Sequence, residues 1–191
     1  MRGKATALML TAFAAAAPLH AQEKPPEPDG YRNENYRTAV PATLAGARVL
    51  ATAEAETIWR EKTGVFIDVL PRPPKPQSLP AGTVWRDKPR LNIPGSIWLP
   101  DTGYGTLAEA TENYLRQGLA RASGGNNAAL LVVYCQADCW MSWNAAKRAL
   151  SYGYSNVAWY PEGTDGWERA DLPLAESQPE PRASEEAPAP R

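Results

Sequence analysis

Ala129-Leu130-Leu131-Val132-Val133-Tyr134-Cys135-Gln136-Ala137-Asp138-Cys139-Trp140-Met141-Ser142-Trp143-Asn144 runs from an unbroken apolar stretch through a short polar loop into a segment of helical character. Residues 129–134 are apolar at odd and even positions alike. A strand of that kind is buried on both faces, which is the situation of a central strand in a parallel sheet covered by helices on either side. In such sheets the functional crevice lies beyond the carboxyl ends of the strands, and Cys135 is the first residue past this one.

The same alternation extends outward. Val49-Leu50 opens a short strand. Ala53 to Lys62 reads as a helix, with Thr52 as N-cap and Gly64 just beyond its end. Val65 to Leu70 is a second buried strand, rich in β-branched residues. Pro71 to Pro89 holds six prolines and predicts a long surface loop. Ser96 to Leu99 is a short extended element ended by Pro100. Leu107 to Ala122 has helical spacing and stops at Gly124-Gly125. Ser142 to Tyr152 is a helix closed by Gly153, and Asn156 to Trp159 is a further strand. Together they predict an α/β fold, a parallel sheet with helices on both faces, over residues 44–174. Residues 22–43 form an N-terminal arm, flexible over Gln22 to Asp29. Residues 175–191, with four prolines among Glu, Ser and Ala, read as a disordered tail.

The chain has 191 residues, 20 basic against 21 acidic, and a formal net charge of −1. No basic run appears, which argues against a nucleic-acid partner. Arg2 and Lys4 precede an apolar stretch of small residues, and Leu19-His20-Ala21 fits a signal-peptidase site before Gln22. Residues 1–21 therefore read as a secretory signal, too short in their apolar part for the ~20 residues of a spanning helix. The expectation is a periplasmic protein with no membrane span after cleavage. Cleavage removes His20, the one histidine. Serine–histidine triads, cysteine–histidine dyads and His-ligated zinc are then excluded. Both cysteines survive into an oxidising compartment, where a pair can form a disulfide.

Cys135 and Cys139 are the candidate catalytic residues. The start of the following helix stabilises an anion such as a thiolate, while Asp138 between the two sulfurs opposes it. A redox or nucleophilic pair, an inert disulfide and plain packing all remain open on the residues alone. Two sulfurs without histidine make a poor metal site. Trp140, Asp138, Ser142, Asp68 and Trp143 are the candidate binding residues. Trp140, Trp143, Trp159 and Trp167 either pack the core or wall an aromatic pocket, with Trp140 on the exposed side. Asp101, Tyr104 and Asp165 lie on loops within reach of the same crevice.

Three landmarks resemble a rhodanese-like domain. They are Phe66-Ile67-Asp68-Val69, the segment Asn92-Ile93-Pro94-Gly95-Ser96-Ile97, and Val157 to Trp167 with Glu162-Gly163 inside it. The resemblance covers residues 44–174 and places Cys135 where rhodaneses keep their persulfide-carrying cysteine. It also implies a basic residue at the end of the loop, where this chain has Met141. The lack of any cation from 135 to 142 disfavours thiosulfate as substrate, because a dianion needs positive partners. The run Asp138 to Arg148, with Tyr31 to Arg48, is similar to the exported CXXCW-motif proteins associated with pyrroloquinoline quinone-dependent catabolism, although three residues separate the cysteines here. That resemblance implies a context, a role accessory to alcohol oxidation with an association with pyrroloquinoline quinone; the reaction expected of the cysteine pair itself is thiol redox or sulfane-sulfur handling, with no cofactor required. The resemblance equally allows a non-catalytic module binding a quinone, a quinone-dependent dehydrogenase or a transport component.

Export makes one direct prediction. Mass spectrometry of the mature protein should find Gln22 as the first residue, and an intact Met1 in the soluble exported fraction would contradict it.

Overall fold

A computed structural model describes residues 24–73, 76, 78–80, 82–83 and 89–182. The segment 1–21 expected to be a signal, the end of the tail at 183–191 and much of the proline-rich stretch lie outside the described residues. The elements in chain order are β1 (Arg48–Val49), α1 (Thr52–Glu61), β2 (Val65–Asp68), β3 (Arg90–Asn92), β4 (Ile97–Trp98), α2 (Glu109–Ser123), β5 (Leu131–Tyr134), α3 (Trp140–Ser151), β6 (Val157–Tyr160), α4 (Gly163–Arg169) and β7 (Ala175–Ser177).

Five strands form one parallel sheet in the order β1-β6-β5-β2-β4. The strand expected to be central is central: β5 pairs with β2 on one side and β6 on the other. Its side chains alternate between two cores. Leu131 and Val133 join Leu115, Leu119, Trp143 and Ala146 on the α2/α3 face. Val132 and Tyr134 join Ala55, Ile58 and Trp167 on the α1/α4 face. Fully burying each such aliphatic side chain stabilises the fold by about 1.5–3 kcal/mol, and the strand's one polar side-chain group, the Tyr134 hydroxyl, donates to Ser96 Oγ and accepts from the Ile93 amide.

Element ends differ from expectation where tertiary contacts set them. Ala51, not Thr52, is the N-cap of α1. The Glu54 carboxylate accepts the Ala51 amide at 3.0 Å, and the Thr52 hydroxyl is taken up by Tyr160 at 2.8 Å. Helix α3 begins at Trp140 rather than Ser142, with Cys139 as its extended N-cap. Strand β2 ends at Asp68 because the Leu70 amide turns back onto the Asp68 carboxylate at 2.9 Å. The landmark that ends at Trp167 includes a further helix, α4, that the hydropathy pattern does not announce.

The arm is irregular, as expected, yet attached within the stretch expected to be flexible, and residues 175–182 of the expected disordered tail take up defined structure. The arm is pinned: the Glu27 carboxylate accepts from Thr43 Oγ and the Ala45 amide, and Lys147 donates to the carbonyls of Pro28 and Asp29. The tail pairs through its main chain, which needs no apolar side chain. Strand β7 runs antiparallel to β3, the Glu180 amide donates to Trp98 O at 2.9 Å, and Tyr114 donates to Glu180 O at 2.7 Å. Arg182 closes the segment on Asp101 at 3.0 Å. Ending the chain after Leu174 should therefore cost on the order of 2–4 kcal/mol, from several net hydrogen bonds of about 1 kcal/mol each and the uncovering of Trp98. Urea unfolding of the truncated chain measures this, and an unchanged midpoint would show that the tail contributes nothing.

Candidate active site at the end of the central strand

The loop after β5 is held from both sides. Cys135 is fully buried, and its carbonyl lies past the end of the strand ladder, where it needs new donors. The Thr164 amide (3.1 Å), the Thr164 hydroxyl (3.3 Å) and Arg90 Nη2 (3.2 Å) supply them. Gln136 bridges to Gly163. A Cβ on Gly163 would stand 2.6 Å from Cys135 O, and its φ of +51° is one that glycine adopts at little cost. The Ala137 amide donates to the Asp165 carboxylate at 3.2 Å. Asp138 is exposed at the loop's tip with φ +49°, a conformation Asp tolerates.

Cys135 and Cys139 form a disulfide with Cα atoms 6.7 Å apart, inside the range of about 4.4–6.8 Å that such a bridge allows. Cys139 is also buried. The Cys135 sulfur lies 3.7 Å from the carbonyl oxygens of Gln136 and Cys139. A disulfide sulfur has no proton, so these are contacts. In the reduced protein they suit a neutral thiol, since carbonyl oxygens repel a thiolate. The amide that opens α3, Trp140 N–H, is already committed to Tyr36 O at 2.9 Å, and that donor is lost to any anion in the loop.

Beneath the loop lies a buried ion pair. Asp68, with no exposed surface, accepts Arg90 Nε at 2.8 Å. Arg90 also reaches Thr164 Oγ at 3.3 Å, and so links the ends of β2 and β5 to α4. Burial pushes the Asp68 carboxyl up to about 6, with Arg90 and the Leu70 amide opposing.

The arm forms the other wall. Arg37 Nη1 donates to Ala137 O at 2.8 Å. Gln136, with its amide oxygen turned toward Arg37, accepts from the same guanidinium. Trp140 Nε1 donates to Ala39 O at 3.0 Å. Asn144, buried one turn further along α3, accepts the Arg32 amide and donates to Arg32 O, both at 2.9 Å.

Residues 85–170 match the rhodanese-like domain family, a span that includes both cysteines, Arg90 and Thr164. That stretch of the chain is similar to rhodanese-like domains. Among solved structures the chain is similar to a thiosulfate sulfurtransferase from Pseudomonas aeruginosa, at 20% identity and a TM-score of 0.48, over 70% of this chain but only 21% of that one. It is also similar to a polysulfide-sulfur transferase from Wolinella succinogenes, at 19% identity and a TM-score of 0.45, over 69% of this chain and 80% of that one. No curated protein matches significantly.

The structure gathers Cys135, Cys139, Asp138 and Ser142 at one loop, with Asp68 below it through Arg90. Ser142 serves the frame: its hydroxyl donates to Cys139 O at 3.1 Å and accepts from Trp159 Nε1 at 3.0 Å. Trp140 and Trp143 do not wall an open pocket. Both are buried, stacked edge-on at 5.5 Å and bonded to the arm, because the arm covers the face of α3 that the sequence left free. Asp165 reaches the loop, whereas Asp101 is held by Arg182 and Tyr104 packs against Tyr36. Arg90, Arg37, Thr164 and Asn144 were not foreseen. Arg90 stands two residues before Asn92 and carried a usable signal, since a buried acid at the end of a strand demands a cation. Arg37 and Asn144 carried none.

The ion pair makes a signed prediction. Asp68 binds its proton more tightly in the fold than in the open chain, near 6 against 3.8. Its contribution to stability is therefore complete below the lower value and is lost as pH rises through the upper one. The stability of the wild type relative to Asp68→Asn should fall between those two pH values, measured by urea unfolding at each pH. A relative stability that rises over that interval would show that Arg90 outweighs burial.

Proposed function

We propose that the protein is a thiol–disulfide redox protein whose working pair is Cys135 and Cys139. The observation that carries this is the bridge itself: the cysteine at the end of the central strand, within the stretch similar to rhodanese-like domains, is bonded to a second cysteine in the same loop. An incoming dithiol opens the bond through a mixed disulfide, and its second thiol then displaces the protein sulfur. Two electrons and two protons pass to the pair, and the donor leaves as a disulfide. The carbonyl oxygens beside the Cys135 sulfur give no support to a resident thiolate, so the attacking thiolate is the donor's, and the Arg90 and Arg37 guanidiniums are engaged by the protein's own groups. Both features speak against thiosulfate as substrate.

Sulfane-sulfur handling is the second function the site supports, favoured by the position of Cys135. A Cys135 persulfide attacked by the Cys139 thiol yields the same disulfide and releases hydrosulfide. Either chemistry fits the exported setting argued from the signal segment, where the protein would act beside pyrroloquinoline quinone-dependent alcohol oxidation, with a dehydrogenase or a transport component as partner. A quinone held at this loop is a poorer fit. A flat tricarboxylate needs an open slot and free cations, whereas Trp140 and Trp143 are buried and both nearby guanidiniums are spent. The association is with the pathway's proteins rather than with a cofactor bound here.

Thiol titration across a series of dithiol–disulfide buffers tests the proposal. Both thiols should appear together at one midpoint, less negative than the ~−300 mV below which structural disulfides fall. Cys135→Ser and Cys139→Ser should each abolish the transition and leave the fold intact. A pair that stays oxidised until the protein unfolds is an inert bridge, and the module is then a binding one.

A further inference from the structure

Residues 28–40 lie along α3 without regular structure, running opposite to the helix. Pro28 and Asp29 meet Lys147, Arg32 meets Asn144, and Tyr36 meets Trp140. Positions 140, 144 and 147 share one helix face, so the run Asp138 to Arg148 is the seat of the arm as well as the edge of the cysteine loop. The Tyr31 ring covers the Arg148 guanidinium at 4.1 Å, and the Arg32 guanidinium sits over Trp140 at 5.2 Å. At the loop itself, residues 36–39 bond to Ala137 on one side of Cys139 and to Trp140 on the other.

Both sulfurs are buried, and disulfide exchange requires a thiolate to approach one of them in line. The loop must therefore open for the pair to react. Its two walls differ in how readily they yield. The α4 wall is built from the buried Thr164, the close contact at Gly163 and the Arg90–Asp68 pair, all continuous with the sheet. The arm has no helix or strand of its own between residues 24 and 47. Its attachments include exposed groups such as Arg37 and Thr38. Segments of this kind sit at the low-stability end of a fold and open without global unfolding.

We infer that residues 28–40 are a strap that gates access to the Cys135–Cys139 disulfide, closing over it at rest and lifting to admit a dithiol. This rests on the redox role proposed above. The strap shields the bond whichever way electrons flow, so loosening it changes rates more than the equilibrium.

The test compares the mature chain with the Arg32→Ala/Arg37→Ala double variant and with Leu172→Ala, a control that loosens packing on the opposite face of the sheet. Dithiothreitol reduction is followed by quenched thiol counts under conditions where all three remain folded by circular dichroism. Reduction of the double variant should be faster by about tenfold or more, as expected for easier local opening, with the midpoint in dithiol buffers unchanged and the control close to the parent. Equal rates in parent and double variant, or equal acceleration in the control, would overturn the strap while leaving the redox role standing. If none of the three is reduced while folded, the redox role falls and the strap with it.

Discussion

The carbonyl of Cys135 is the point on which the site depends. It sits at the end of the central strand, buried, where the parallel ladder has no further partner to offer. Leaving it unpaired would cost about 1–3 kcal/mol, and the fold meets the need with Thr164 and Arg90. Arg90 is itself buried enough to require a counter-charge, which Asp68 supplies from the end of the neighbouring strand. One unsatisfied acceptor thus ties β2, β5, β3 and α4 together and leaves the loop beyond it with little freedom except toward the arm.

From that anchoring follows the character of the cysteine pair. The loop is short and held at Cys135, Gln136 and Ala137 from the α4 side, so Cys139 enters α3 at a defined place and within reach of Cys135. The first amide of that helix, which elsewhere would attract an anion, is capped by Tyr36. The arm thereby performs two physical tasks. It satisfies a helix start and two buried side chains, Trp140 and Asn144, and it removes the pair from solvent. The aromatic residues around the loop are explained by the first task, because their ring N–H groups find acceptors in the arm.

Much of the frame was legible in the chain because apolar β-branched runs report burial directly. Leu131 to Tyr134 and Val65 to Asp68 stand where their composition placed them, and Cys135 follows from the first. Helix starts were displaced by a residue or two at Thr52 and Ser142, since the caps are chosen by distant partners such as Tyr160 and Tyr36. Strands β3 and β7 were missed because main-chain pairing leaves no mark on polar, proline-flanked sequence. Trp140 and Trp143 were read as candidate binding residues, yet what covers them lies about a hundred positions earlier in the chain. For the same reason Arg37 and Asn144 had no local signature, while Arg90 was within reach of an inference from Asp68.

The central claim is that the Cys135–Cys139 bond switches within an intact fold and that the change is felt by the loop and the arm. Backbone amide and cysteine Cβ chemical shifts of the oxidised and reduced protein, recorded at one pH, test it most directly. The account predicts that both cysteine Cβ signals move to thiol values, that amide shifts concentrate in residues 31–40 and 135–148, and that β2, β5 and β6 keep their spectra up to Tyr134. Cysteine signals that hold their disulfide values until the whole spectrum collapses would contradict it.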